Sequence, residues 1–386
     1  MKIGITCYPT YGGSGVVGTE LGIELAARGH DVHFISYAVP VRMTAVSERL
    51  HFHEVEMMSY PLFDHPPYTL ALASMMRNVA VNEGLDLLHV HYAIPHSVSA
   101  HLARAMVAPQ KLPYVTTLHG TDVTLVGADR SYLPITKFSI EESDGVTAIS
   151  EYLRRVTVNE FEVRRPIEMI PNFVNCDVFQ PADGDCRREE FARDEEKILI
   201  HLSNFRPVKR VPDVVEIFAL VRKEIPAKLM MIGDGPERTT AEWLVRKKGL
   251  SHDVIFLGKQ NQVQSILNCA DVLLLPSELE SFGLAALEGM ACGVPAVCSK
   301  VGGIPEVITD GVEGFLVPPG DVKTMAARAL EILTGPGRRE QMGKAARVRA
   351  LSQFCTTKII PLYENLYRRV LEGKQSKTQI AGKIQP

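Results

Sequence analysis

Short apolar runs alternate with amphipathic stretches along the whole chain, and this alternation restricts the fold more than any single motif. In the first half KIGITCY (2–8), DVHFISY (31–37), LLHVHY (87–92), YVTTLHG (114–120) and GVTAIS (145–150) read as buried strands. Between them, TELGIELAARG (19–29) and LALASMMRNVAVNEG (70–84) carry helical spacing, the first closed by a Gly stop. The second half repeats the pattern with KILIHLSN (197–204), KLMMIGDG (228–235), VIFLGK (254–259), DVLLLPS (271–277) and PAVCSK (295–300). VPDVVEIFALVRKEI (211–225) and FGLAALEGMACG (282–293) are its helices. Strands alternating with helices imply parallel sheets covered on both faces. The expected class is therefore α/β, with two doubly wound Rossmann-like domains that bind ligands beyond the carboxyl ends of their strands.

A chain of 386 residues is long enough for two cores. We expect an N-terminal domain over 1–170 and a C-terminal domain over 171–357. The polar stretch PADGDCRREEFARDEE (181–196) has the character of a linker. KIIPLYENLYRRVL (358–371) is helical in pattern with no strand after it, so a C-terminal helix over 358–372 can pack back on either domain. The remainder, 373–386, lacks apolar periodicity and reads as a disordered tail.

A net charge of −3 gives no reason to expect nucleic acid or an anionic membrane as partner. Seven cysteines without a C-x-x-C pair suggest reduced thiols rather than a disulfide frame. The start, MKIGITCYPT, reads as a strand and turn rather than an export signal, and no stretch has the length of a membrane span. These features suggest a cytoplasmic protein.

Gly13-Ser14-Gly15-Val16-Val17-Gly18 has the G-x-G-x-x-G spacing of a dinucleotide loop. A nicotinamide enzyme would also carry an acid at the end of its second strand, where this chain has Ser36, Tyr37 and Ala38. No Gly-Lys-Ser/Thr follows, so a triphosphate loop fails as well. Close backbone approach to a phosphate and a plain tight turn remain equally open on the loop alone.

The second half is more specific. Arg206, Lys209 and Arg210 follow a buried strand in HLSNFRPVKR (201–210), a placement that suits a phosphate. In ELESFGLAALEGMACGVP (278–295), Glu280 precedes an expected helix start at Ser281-Phe282-Gly283, and Glu288 stands eight residues later. Eight helical residues span about 12 Å, against roughly 5–5.5 Å between the carboxyls of a retaining hydrolase. A nucleophile–acid pair is thus not expected, whereas two carboxylates gripping a hydroxyl-rich ligand fit. The amides of Phe282, Gly283 and Leu284 are placed to meet a diphosphate. GDGPE (233–237), GGIPEV (302–307) and VPPGDV (317–322) add Gly or Pro turns after strands.

With these motifs the chain resembles retaining glycosyltransferases of the GT-B type, in the family that includes sucrose synthases and mycothiol-pathway transferases. The E-x7-E element, Asn204-x-Arg206-x-x-Lys209-Arg210, GDGPE and GGIPEV carry that likeness. GITCYPTYGGSG, HFHEVE, PPYTLALAS, HVHYAIPHSV and TTLHGTD resemble the subgroup that joins N-acetylglucosamine to L-malate in bacillithiol biosynthesis. The resemblance implies a UDP-N-acetylglucosamine donor, an L-malate acceptor, retention of configuration and no metal or other cofactor. Arg206 with Lys209 or Arg210 would neutralise the diphosphate, and Glu288 would hold the ribose. Glu280 with Ser281 to Leu284 would hold the sugar, with Asn204 and Gly233 lining the donor pocket. His119, at the end of YVTTLHG, would contact the transferred sugar.

Gly13 and Gly15 would face the diphosphate across the cleft between domains. Ser14, Tyr92, Thr116 and Lys137 are the acceptor candidates; relatives carry Arg at the last, and Lys lacks its bidentate fork. The D-x-D match at 183–185 lies in the linker with no strand before it and is rejected as a metal site. His89 and His91 share one face of a strand without a third ligand at suitable spacing. An inositol phosphate acceptor, a nicotinamide oxidoreductase and a non-catalytic sugar-binding protein rank below this reading. Homo-oligomers occur in the family through first-domain helices, and the sequence leaves the oligomeric state open.

Overall fold

The structure, a computed structural model, describes residues 1–43, 47–58, 65–181 and 188–373. It divides into two units, one of Met1–Pro171 with the segment from Ile359 onward, the other of Asn172–Lys358. The expected tail from 374 and the D-x-D match at 183–185 lie outside the described residues.

The first unit holds a seven-stranded sheet: β1 (Lys2–Thr6), β2 (Asp31–Ser36), β3 (Leu50–Glu54), β4 (Leu87–His91), β5 (Tyr114–Leu118), β6 (Gly145–Ala148) and β7 (Ile167–Met169). Their order is β3-β2-β1-β4-β5-β6-β7, all parallel. The second unit has β8 (Lys197–Leu202), β9 (Ala227–Ile232), β10 (Val254–Gly258), β11 (Val272–Leu275), β12 (Ala296–Ser299) and β13 (Gly314–Val317). Here the order is β10-β9-β8-β11-β12-β13, again all parallel. In each sheet the order reverses beside the first strand, between β1 and β4 and between β8 and β11. The loops leaving those strands therefore diverge and open a crevice at their carboxyl ends.

Helices cover both sheets, and the central strands are accordingly buried on both faces. In the second unit Val214, Ile217, Phe218 and Val221 of the Val211–Glu224 helix pack on Leu199, Leu229 and Leu274. In the first unit Leu72, Met76 and Val79 of the Tyr68–Val79 helix pack with Ile35, Leu88 and Tyr114.

The glycine-rich stretch differs from the expected loop. The first helix starts at Gly13 and runs to Ala27, so Gly13–Gly18 forms its opening turns. A Cβ at Gly15 would stand 2.3 Å from the Tyr8 carbonyl oxygen, and one at Gly18 2.7 Å from Cys7 Cβ. Gly15 and Gly18 thus seat the helix against the end of β1.

The Thr356–Leu371 helix packs on the first unit. Tyr363 and Tyr367 are fully buried, and the Tyr367 hydroxyl lies 2.7 Å from His89 Nδ1. Glu364 accepts two hydrogen bonds from Arg28, both at 3.0 Å, and sits 3.0 Å from His30. Bonding to Arg28 holds this carboxyl below its ordinary range. Cys7, Cys176, Cys292, Cys298 and Cys355 are buried free thiols.

Candidate active site

In the second unit the loops after β8, β9, β11 and β12 meet at the crevice. Ser203, Asn204 and Phe205 follow β8, and Phe205 and Arg210 both hold positive φ, 43° and 50°. Such backbone is rare outside glycine and marks a loop fixed by its surroundings. The fixing comes from the Gly233–Pro236 turn. Gly233 has φ 121°, and a Cβ there would lie 1.7 Å from the Ser203 carbonyl oxygen. A Cβ at Gly235 would lie 2.1 Å from that of Asn204, and Glu237 N donates to the Phe205 carbonyl at 2.9 Å.

On the other side, Lys209 Nζ donates to Glu280 Oε1 at 2.5 Å, and Ser277 Oγ donates to the same oxygen at 3.0 Å. Both charged side chains are mostly shielded, at 19% and 11% exposure. Shielding strengthens such a pair relative to a surface one, provided both partners stay matched. The Glu280 carbonyl accepts from Gly303 N at 3.0 Å, so the GGIPEV turn buttresses the same loop.

Arg206 is exposed and forms no ion pair among the described residues. Arg210 instead donates to Asp213 at 2.7 Å and lies against the Gly320 turn. All three cations keep donors for a ligand, since an ammonium has three and a guanidinium five; Lys209 reaches Glu280, while Arg210 is tied to Asp213. Asn204 Oδ1 is buried with no hydrogen-bond partner, an acceptor placed beside them. His201, beneath the loop, bonds to the Leu274 carbonyl and to Ser203 Oγ. Burial pushes its imidazole down to about 4, so it packs as a neutral ring.

The helix after Glu280 runs from Leu284 to Ala291, with Gly283 (φ 97°) at its start. Its unpaired N–H groups therefore begin at Leu284, and Ser281, Phe282 and Gly283 form the turn leading in. Only the end of the Glu280–Glu288 interval is helical. Glu288 is buried within that helix, and Phe282 is buried against the Phe354 ring.

In the first unit Ser14 Oγ, in the first turn of its helix, donates to the Tyr92 hydroxyl at 3.0 Å. Tyr92 has φ 93°, the most distorted non-glycine backbone of the described residues. Its ring packs edge-on to Tyr8 and tilted against His119, centroids 5.3 and 5.5 Å apart. His119 is almost buried, and its Nε2 lies 2.8 Å from His91 Nδ1. Asp122 ties the two loops together, accepting from Gly120 N at 2.8 Å, Ala93 N at 3.0 Å and His119 N at 3.2 Å. Burial pushes its carboxyl up to about 6 against those amide bonds.

Ser14, Tyr92 and His119 are therefore brought together, and Thr116 and Lys137 take no part in these contacts. Thr116 is fully buried in β5, with its hydroxyl 2.8 Å from Ser143 Oγ and 3.1 Å from Ser97 Oγ. Its oxygen serves the interior rather than a ligand, which corrects the sequence expectation. Lys137 projects from the Leu133–Glu142 helix, 39% exposed, with its nearest carboxylate that of Glu162 at 4.0 Å. It forms no hydrogen bond with Ser14 or Tyr92, and its helix packs against the Ala93–Ser97 segment that follows Tyr92. We expect Thr116→Val to lower stability by about 1 kcal/mol, the net worth of the lost hydrogen bonds, since Ser97 and Ser143 each keep a bond to the Ser139 carbonyl. The KM for acceptor should stay within twofold; a tenfold rise would return Thr116 to the site.

Tyr8, His91 and Asp122 were not singled out in the sequence as site residues. Asp122 had a local signal, since an Asp three residues after a strand-end His can cap the amides between them. Among the described residues no group of three or more His, Cys, Asp or Glu is placed to hold a metal ion.

Residues 11–178 match the Glycosyltransferase Family 4 family, and residues 184–349 match Glycosyl transferases group 1. A relative from Bacillus anthracis, named N-acetyl-alpha-D-glucosaminyl L-malate synthase, is 48% identical over 97% of this chain and 99% of its own. The chain belongs to glycosyltransferase family 4. This glycosyltransferase is also 28% identical to a D-inositol 3-phosphate glycosyltransferase of Mycolicibacterium smegmatis, over 83% of this chain and 79% of that one. Its fold matches the sucrose-phosphate synthase of Thermosynechococcus elongatus with a TM-score of 0.80 at 23% identity, covering 97% and 100% of the two chains. It also matches Anabaena Alr3699/HepE, solved in complex with UDP and glucose, with a TM-score of 0.80 at 18% identity over 95% and 99%. The fold is thus that of the GT-B glycosyltransferases, with a Rossmann-like sheet in each unit. Among the described residues, no helix is long and apolar enough to cross a membrane.

Proposed function

We propose that this enzyme transfers N-acetylglucosamine from UDP-N-acetylglucosamine to the hydroxyl of L-malate with retention, the first step of bacillithiol biosynthesis. The near-full-length likeness to an enzyme of that name carries the reading. The sites described above supply chemistry that agrees with it. Arg206 and the shielded Lys209–Glu280 pair offer fixed positive charge to a leaving diphosphate. Such preorganised charge lowers the barrier where negative charge develops. Glu288 and the turn into its helix are assigned to the ribose and sugar.

Ser14 and Tyr92 are assigned to malate, whose carboxylates need donors, and His119 to the sugar. In the proposed step the malate hydroxyl oxygen bonds to the anomeric carbon as the bond to the diphosphate oxygen breaks on the same face. The hydroxyl proton passes to the departing phosphate oxygen, so no enzyme nucleophile is required. Because side chains and amides supply the charge, we assign no metal to the step. The nucleotide-sugar donor suits a cytoplasmic setting.

The test is incubation with UDP-N-acetylglucosamine and an acceptor panel of L-malate, D-malate and inositol 1-phosphate, read by mass and NMR. The expected product is an α-linked N-acetylglucosaminyl-malate, formed at the same rate in chelator. Conjugation of inositol phosphate instead, a β linkage, or a chelator-sensitive rate would each overturn its part of the proposal.

A further inference from the structure

His91 lies in the middle of a row of rings: His89 stacks on it at 4.6 Å between centroids, and His119 at 5.0 Å. Its neighbours are all committed. His89 uses both nitrogens, on the Tyr367 hydroxyl and Thr117 Oγ1, each at 2.7 Å. His96 Nδ1 sits 2.5 Å from the His91 carbonyl oxygen, and because a carbonyl only accepts, His96 carries its proton on Nδ1. His91 Nδ1 faces His119 Nε2 at 2.8 Å, while His91 Nε2 is buried with no partner among the described residues.

One proton lies between His91 Nδ1 and His119 Nε2, and burial keeps both rings neutral. Two arrangements satisfy that bond. If His119 donates from Nε2, His91 must hold its own proton on Nε2, an N–H sealed in the interior with nothing to receive it. If His91 donates from Nδ1, the unpaired atom is a lone pair. Buried orphan N–H groups are the rarer defect, and an unmet acceptor is better tolerated. The second arrangement leaves His119 protonated on Nδ1, the nitrogen with no partner among the described residues.

We infer that His91 is a positioning residue that fixes the tautomer of His119, making His119 Nδ1–H a hydrogen-bond donor toward the ligand. His119 then donates to a sugar hydroxyl and cannot act there as a base. The contact with sugar rests on the proposed donor; the tautomer does not. The orphan lone pair at His91 Nε2 is the structural consequence of using Nδ1 to hold His119.

Nitrogen-15 NMR of histidine-labelled full-length enzyme tests the inference, with His119 signals assigned by their loss in His119→Asn. Wild-type His119 is expected to show a protonated Nδ1 and a pyridine-type Nε2. His91→Asn, which keeps a donor near the Nδ1 position, should preserve that pattern and hold kcat within about threefold. His91→Phe removes the donor that holds the His119 Nε2 lone pair, so its spectrum should show a mixture of the two tautomers and kcat should fall several-fold, with UDP affinity unchanged. A pyridine-type Nδ1 at His119 in the wild type overturns the inference, as does equal loss of kcat in both variants. If His91→Phe fails to fold, the wild-type spectrum alone decides. Failure of malate transfer in the acceptor panel would leave the spectrum, and this inference, untouched.

Discussion

The Arg206→Ala, Lys209→Ala double variant should lose at least about a thousandfold in kcat/KM for the nucleotide-sugar. Removing one preorganised donor from a site of developing charge costs about 10²–10³ in rate. Two are removed here, and they act on the same diphosphate, so their effects should not simply multiply. The single variants separate the roles. Arg206 is exposed and unpaired among the described residues, so Arg206→Ala should reduce turnover while stability stays within about 0.5 kcal/mol.

Lys209→Ala should do both kinds of damage. It leaves Glu280, 11% exposed and hydrogen-bonded to Ser277, as a shielded carboxylate without its cation. Lys209→Ala, Glu280→Gln should therefore regain stability without regaining activity. Steady-state rates and denaturant melts on the four proteins check this. A double variant within tenfold of the parent would mean that the leaving group is stabilised elsewhere.

The second large effect is expected at Gly233. Replacing it with Ala puts a Cβ 1.7 Å from the Ser203 carbonyl oxygen, on backbone at φ 121°. Neither problem is relieved by rotating a side chain, because the obstacle is backbone. The turn after β9 must therefore move away from the loop after β8, which it holds through Glu237 N and the Phe205 carbonyl. We expect a stability loss of about 3–5 kcal/mol, in the range reserved for strained backbone and core disruption. UDP affinity should fall with it, since Asn204, Arg206 and Lys209 all lie on the displaced loop. Gly249→Ala is the control. It too has positive φ, 70°, but a Cβ there meets nothing within 4 Å. Its cost should be that of the backbone alone, about 1 kcal/mol. Equal losses at the two sites would show that close approach of the loops is not what matters.

These cases also show what the sequence could and could not reveal. The central strands of both sheets were legible because they are continuous apolar runs, as doubly covered parallel strands must be. Of the edge strands β10 was legible and β3, β7 and β13 were not. In β3 the residues are Leu-His-Phe-His-Glu, alternating and half-exposed, while β7 and β13 have only three and four residues. The loop after β8 was legible as a candidate because charge after a buried strand is unusual.

Glycines needed for seating a helix on β1 and those needed for a phosphate look alike in one dimension, and Gly15 and Gly18 serve the first purpose. Thr116 was misread because burial of a hydroxyl depends on neighbours distant in sequence. Ser97 and Ser143, which partner Thr116, come from the segment after β4 and the loop before β6. Tautomer selection by His91 depends on the β4–β5 register, in which His91 pairs with Thr117, two residues before His119.

Calorimetric titration of UDP into the parent and the Arg206→Ala, Lys209→Ala variant, at two salt concentrations, addresses the electrostatic account without depending on acceptor or sugar. The account predicts a dissociation constant at least about 100-fold weaker in the variant, following the worth of two charge-assisted hydrogen bonds. It also predicts a salt dependence that is steep for the parent and shallow for the variant. Equal affinity in the two proteins would contradict it.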